Sequence, residues 1–285
     1  MAGRLPLMLA PLLTAPVLLQ APPAAPAPPV APAAPAAPAA AAPARITERV
    51  RGTALSFELV PLPAAGGART WICTTEVTWD LLDAFIYNLD QDDHAAAADA
   101  VTRPTKPYIS VDRGWGHQGF PAMCVSPRTA ERYCEWLSAK TGRRYRLPTQ
   151  AEWKAACAAA AVPPTEPGPF AWYAANSDRT THAVGTRKVD ALGCFDLWGN
   201  VGEWVTLPGG GHLLLGGSFR DPASAIGCAA EQKETKEWNA TDPQMPKSVW
   251  WLADAVWAGF RVVCEEGPAG APAPGAQNEQ PSRSP

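Results

Sequence analysis

Hydrophobic and polar residues alternate through "LSFELVP" (55–61) and again through "TWICTTEVT" (70–78). A period of two sends successive side chains to opposite faces, so both stretches are predicted strands. At Trp79 the period lengthens. The apolar residues of "WDLLDAFIYNL" recur at helical spacing, with Thr78 in the N-cap position. A second helix is predicted over "SPRTAERYCEWLSAKTG", with Ser126 as N-cap, Pro127 at the first helical position and Gly142 as the stop. A third begins at Thr149, where Glu152 three residues on completes a capping box in "TQAEWKAACAAAA". Asp90 to Gly119 is polar and loop-like, and beyond the third helix the pattern breaks into short strands and loops full of Gly, Pro and Trp. The expected class is α+β with little regular secondary structure and no internal repeat.

Composition limits where this pattern can fold. From Ala21 to Ala44 every residue except Val30 is Ala or Pro, which cannot build a core, so residues 21–45 are expected to be a disordered linker. Residues 267–285 are a similar tail, leaving 46–266 as one domain. In residues 1–20, Arg4 precedes the run "LPLMLAPLLTAPVLL", too short and proline-broken for a membrane span but suited to a secretory signal. The expected location is secreted or periplasmic, with no integral membrane span after signal removal. No cysteine precedes Cys73, which argues against a lipid anchor. The net charge of −3 gives no support to nucleic-acid binding. Seven cysteines without a Cys-x-x-Cys spacing suggest disulfides and one left-over thiol in an exported domain, not a zinc ribbon.

One loop carries unexplained charge. "DLWGNVGEW" (196–204) sets Asp196 and Glu203 among aromatic and small residues, and buried carboxylates are costly unless a positive group sits beside them. No Lys or Arg lies between Lys188 and Arg220, so the partner is either distant in sequence or a metal ion.

This loop belongs to an ordered set: "TEVTWDLLDAF", "YCEWLSAKTGRRYRLPTQAEW", "GCFDLWGNVGEWV", "LLLGGSFRD" and "AGFRVV". As a set they closely resemble the formylglycine-generating enzyme (sulfatase-modifying factor) family, from about Phe57 to Cys264. The resemblance implies that family's fold, related to C-type lectin architecture. It also implies a structural calcium ion held by the carboxylates of Asp196 and Glu203 and the carbonyls of Gly199 and Val201, oxygen donors that suit calcium. The alternative is that Asp196 caps a turn and Glu203 pairs with an arginine such as Arg261. A second family calcium site would use Asn176, but the longer loop completing it looks absent. The family further implies a bridge from Cys134 to Cys264 and another from Cys157 to Cys228, leaving Cys73, Cys124 and Cys194.

Family enzymes oxidise a substrate cysteine to formylglycine with two copper-binding cysteines. Soft thiolates suit monovalent copper. The matching positions in "GGSFRDPASAIGC" are Asp221 and Ile226, with Cys228 nearby and unpaired for that role, so copper is not expected. His94, His117, His182 and His212 are isolated, His212 being nearest the expected groove. Arg220, Asp221, Trp238, Trp250 and Trp251 are candidates to line an aromatic groove for a peptide, protein or glycan, although tryptophans in a loop-rich fold also serve as core. The sequence thus points to an exported, calcium-stabilised domain of this type without cysteine oxidase activity, a binding module or an enzyme of unassigned chemistry. Two alternatives stand beside it: a formylglycine-generating oxidase built round Cys228, and a lectin-like glycan binder.

Overall fold

The computed structural model describes residues 45–63, 70–90, 95–107 and 111–265. The expected signal, all of the expected linker but Arg45, the expected tail and His94 lie outside the described residues. In chain order the elements are β1 (Ile46–Arg49), β2 (Ser56–Pro61), β3 (Thr70–Cys73), α1 (Trp79–Ile86), α2 (Ala96–Asp99), α3 (Pro127–Thr141), β4 (Arg144–Arg146), α4 (Gln150–Ala160), β5 (Gly202–Thr206), β6 (His212–Gly216), β7 (Gly227–Gln232), β8 (Ala258–Gly259) and β9 (Val263–Glu265). They build two sheets. The first is antiparallel, in the order β1-β2-β3-β9-β4; the second runs β7-β6-β5-β8.

Local chemistry accounts for the helices. Ser126 Oγ accepts from the Thr129 amide at 3.2 Å, Pro127 occupies the first turn, and Gly142 ends α3 at φ 73°, the left-handed conformation glycine adopts without a steric cost. At α4 the Thr149 hydroxyl accepts from Glu152 N while Glu152 accepts from Thr149 N, a complete capping box. The start of α1 differs from expectation: Thr78 makes no side-chain cap, and the free Trp79 N–H donates to the Phe120 carbonyl instead. That helix also ends at Ile86, short of the apolar run, because the Leu89 amide closes back on Ala84 O with Asn88 at φ 54°. Strand β3 stops at Cys73, and Glu76 beyond it turns into the interior.

Two hydrophobic clusters form the core. One packs Trp79, Phe85, Tyr133, Trp136 and Trp204 between α1, α3 and β5; the other packs Trp153, Cys157, Trp198, Val205 and Ile226 beside α4. Ten of the twelve tryptophans are buried, Trp238, Trp250 and Trp251 among them. Their number reflects a core that few regular elements would otherwise fill. Among the described residues no helix is long and apolar enough to cross a membrane.

Cys157 on α4 and Cys228 on β7 are joined by a disulfide with Cα atoms 5.7 Å apart. The second expected bridge is corrected: Cys134 and Cys264 are both buried free thiols, as are Cys73, Cys124 and Cys194. Cys264 sits in the middle of β9, opposite Trp71 and Tyr145, with its thiol directed at the Glu265 carbonyl. Burial pushes the Cys134 thiol well up and Cys124 to about 12, so both are held as inert thiols. Replacing Cys157 and Cys228 together by Ser opens a crosslink spanning 71 residues and should cost about 2–4 kcal/mol of stability in urea titration. The other five cysteines should resist alkylation until the domain unfolds; labelling of native Cys134 would contradict the buried-thiol assignment.

Candidate functional site

The loop between Asp196 and Glu203 is pinned by a buried arginine. Arg261 Nε donates to Glu203 Oε2 at 2.8 Å and its NH2 to Glu203 Oε1 at 2.7 Å, while NH1 reaches Cys73 O and NH2 reaches Phe195 O. Trp153 Nε1 adds a bond to Glu203 Oε2 at 2.6 Å. Glu76, which sequence reasoning did not single out, binds the same loop: its two oxygens accept from Val201 N and from Asn200 Nδ2. Gly199 is required where it stands. Its φ is 81°, and a Cβ there would lie 2.1 Å from the Trp172 carbonyl oxygen.

Three buried carboxylates, Glu76, Asp196 and Glu203, therefore share one guanidinium. Burial, then the neighbouring Asp196 and Glu203, raises Glu76 well above the usual carboxylate range. Burial likewise moves Asp196 to about 6, despite a hydrogen bond from Gly185 N. Among the described residues Asp196 Oδ1 has no hydrogen-bond partner. Asp196, Gly199, Val201 and Glu203, from which the calcium site is expected, all lie on this loop, with Asp196 and Glu203 buried. Both Glu203 oxygens accept from the Arg261 fork. Among the described residues no group of three or more His, Cys, Asp or Glu side chains is gathered to hold a metal ion. Asn176 is also engaged, accepting from Tyr173 N and donating to Ala171 O.

The positions matching the oxidase cysteines lie in and just after a turn after β6. Asp221 N donates to Ser218 O, and Asp221 Oδ2 accepts from Ser218 Oγ at 2.7 Å and from Gln232 Nε2 at 3.5 Å. Ile226 is buried in the α4-side core, and Cys228 is committed to Cys157. Beside them, Ser224, Ile226, Ala229 and Gln232 line a concavity of about 310 Å³. Arg220 lies on Trp257, its Cζ 3.2 Å from the ring centroid. Trp238, Trp250 and Trp251 each expose less than a tenth of their surface and pack in the core, and Trp251 also lines a concavity with Arg113, Asn239 and Asp242. Trp172 is closed as well, sandwiched between His182 and Arg187.

Three histidines have definite partners. His182 stacks on Trp172, and His212 bonds Glu131 at 3.0 Å. His117 stacks on Trp79 and sets Nε2 2.8 Å from Asp83 and Nδ1 2.9 Å from Asp112. A neutral imidazole donates from one nitrogen only, so both bonds require the imidazolium. Burial opposes that charge, but the two carboxylates outweigh it and raise the His117 pKa. The clamp fastens to α1 the loop that carries Trp115, whose ring meets Phe219 edge-on at 5.3 Å.

Comparison with known proteins gives a family and a fold. A family model described as a sulfatase-modifying factor enzyme 1-like domain matches residues 67–244, more than half of the chain. No curated protein matches. Among solved structures, Treponema denticola variable protein 1 is similar at 19% identity and TM-score 0.56, over 79% of this chain and 100% of that one. PvdO from Pseudomonas aeruginosa is similar at 20% identity and TM-score 0.52, over 80% of this chain and 100% of its own. At these identities the structures speak for the fold alone.

Two predictions follow from the charged clusters. Because Asp196 takes up a proton on folding, its charge lowers stability as pH rises from about 3.8 through about 6. Asp196→Asn should therefore raise stability by about 1–3 kcal/mol at pH 7.5 and leave it unchanged near pH 4, at about 1.4 kcal/mol per pKa unit. A calcium ligand would show the opposite sign, a loss of melting temperature in calcium that chelator reproduces in the parent protein. For His117, whose pKa is raised, the clamp contributes fully below 6.5 and is lost as pH rises through the folded value. NMR titration should place that value above 6.5, and Asp112→Asn should lower it. An unshifted imidazole in the parent protein would rule out the double clamp.

Proposed function

Because the chain belongs to the sulfatase-modifying factor enzyme 1-like family, we propose that it is an exported member that binds a ligand without oxidising cysteine. One observation carries the reading: the two positions that would supply copper thiolates are Asp221 and Ile226, and the nearest thiol, Cys228, is bonded to Cys157. A carboxylate already held by Ser218 and an isoleucine side chain in the core are not soft ligands for monovalent copper. Sulfur in a disulfide is not a thiolate. Export is supported by the apolar run after Arg4 and by the disulfide itself, which persists in oxidising compartments.

The decisive experiment incubates the purified chain with copper and a cysteine peptide of the sulfatase type, then looks for the aldehyde by mass spectrometry. No formylglycine is expected, and Cys228→Ser should lower stability without changing that result. Copper-dependent aldehyde formation that this single change abolishes would overturn the proposal in favour of an oxidase built on Cys228.

A further inference from the structure

Arg220 is a half-buried cation that, among the described residues, forms no ion pair and no hydrogen bond. Its one close partner is the indole of Trp257, on which the guanidinium rests. Stacking occupies a face of the group and leaves its in-plane N–H donors unused. Asp221, next in the chain, attracts Arg220 through space but makes no direct ion pair with it, and Ser218 and Gln232 donate to that carboxylate. A second arginine, Arg179, lies near enough to disfavour the Arg220 charge further, and it too lacks an ion pair among the described residues. The fold imposes this proximity. Ser177 Oγ donates to Phe219 O at 2.7 Å and accepts from Arg179 N at 3.2 Å, so one hydroxyl ties the two arginine-bearing segments together.

A part-desolvated guanidinium with unused in-plane donors, beside a second arginine, is a favourable place for an added anion. A fork of in-plane N–H donors matches a planar carboxylate with two parallel hydrogen bonds. We propose that Arg220, assisted by Arg179, anchors a carboxylate of a peptide ligand, at the turn where the family's oxidase cysteines would otherwise stand. The carboxylate belongs either to an acidic side chain or to a peptide C-terminus. The proposal rests on the binding-module reading and names its ligand class.

Tryptophan fluorescence and calorimetry on the full chain test it with four probes: a capped hexapeptide containing Glu, an uncapped glycine-serine hexapeptide, the capped Gln analogue of the first, and inorganic phosphate. At least one carboxylate peptide should bind at least tenfold more tightly than the Gln analogue and weaken with added salt. The capped Glu and uncapped peptides distinguish the two carboxylate sources. Arg220→Gln should abolish the preference, Arg220→Lys should reduce it by losing the fork, and Arg179→Gln should weaken it at unchanged melting temperature. Equal binding of the Glu and Gln peptides, no binding at millimolar concentration, phosphate binding as tight as carboxylate, or a full preference kept by Arg220→Gln would each reject the site. A rejection here with a negative oxidase assay removes the ligand class alone; a positive oxidase assay removes the binding-module reading beneath it.

Discussion

The guanidinium of Arg261 has four hydrogen bonds to complete in a space closed to water, and the two sheets meet where it completes them. It leaves the chain just before β9 in the first sheet and grips Glu203 on β5 of the second. It also binds the carbonyls of Cys73, at the end of β3, and Phe195, ahead of the glycine loop. Glu203 passes the constraint to α4 through the indole of Trp153. Removing one partner from such a buried pair strands the other charge, which typically costs about 3–5 kcal/mol. Sheet spacing, loop shape and the seating of α4 therefore depend on one ion pair more than on any stretch of regular structure.

That pair also explains why the loop keeps a metal-like sequence while its donors face inward to protein. Glu76 takes the main-chain amide of Val201 and the Asn200 side chain, and Arg261 takes both oxygens of Glu203. The loop is fastened by hydrogen bonds and one guanidinium, and burial raises the pKa of Glu76 and of Asp196. A few residues away, the turn after β6 holds Asp221 inward and leaves Arg220 outward on Trp257.

Much of this was legible because it was local. The caps of α3 and α4 are written in "SPRT" and "TQAE", where a hydroxyl and its target amide are three residues apart. The family phrases carried the fold, and the replacement of the cysteine pair was plain by position. What sequence could not supply was direction. Nothing in "TTEVTW" says that Glu76 turns inward to meet a loop more than a hundred residues later. The choice between metal and Arg261 for Glu203 was open for the same reason, since a carboxylate looks identical before its partner is known. The choice between groove and core for the tryptophans was open as well, because burial is a property of packing, and interleaved charges mark only that the chain surfaces between them. His117 offered a signal in hindsight: an aspartate follows Trp79 by four residues and another precedes the histidine by five.

The order of strands in the first sheet has a further consequence. β9 is the last described element in the chain, yet it lies between β3 and β4, and both of its edges are used. Until residues 261–265 arrive, β3 and β4 have no common neighbour, and the Arg261 side chain that joins the sheets is missing. Closure of the first sheet thus waits on residues 261–265 rather than proceeding from its first strands onward. Long-range pairings of this kind slow folding and leave apolar strands uncovered meanwhile. A ribosome stalled, or a protease cutting, a few residues early would leave not a shortened domain but an unclosed one.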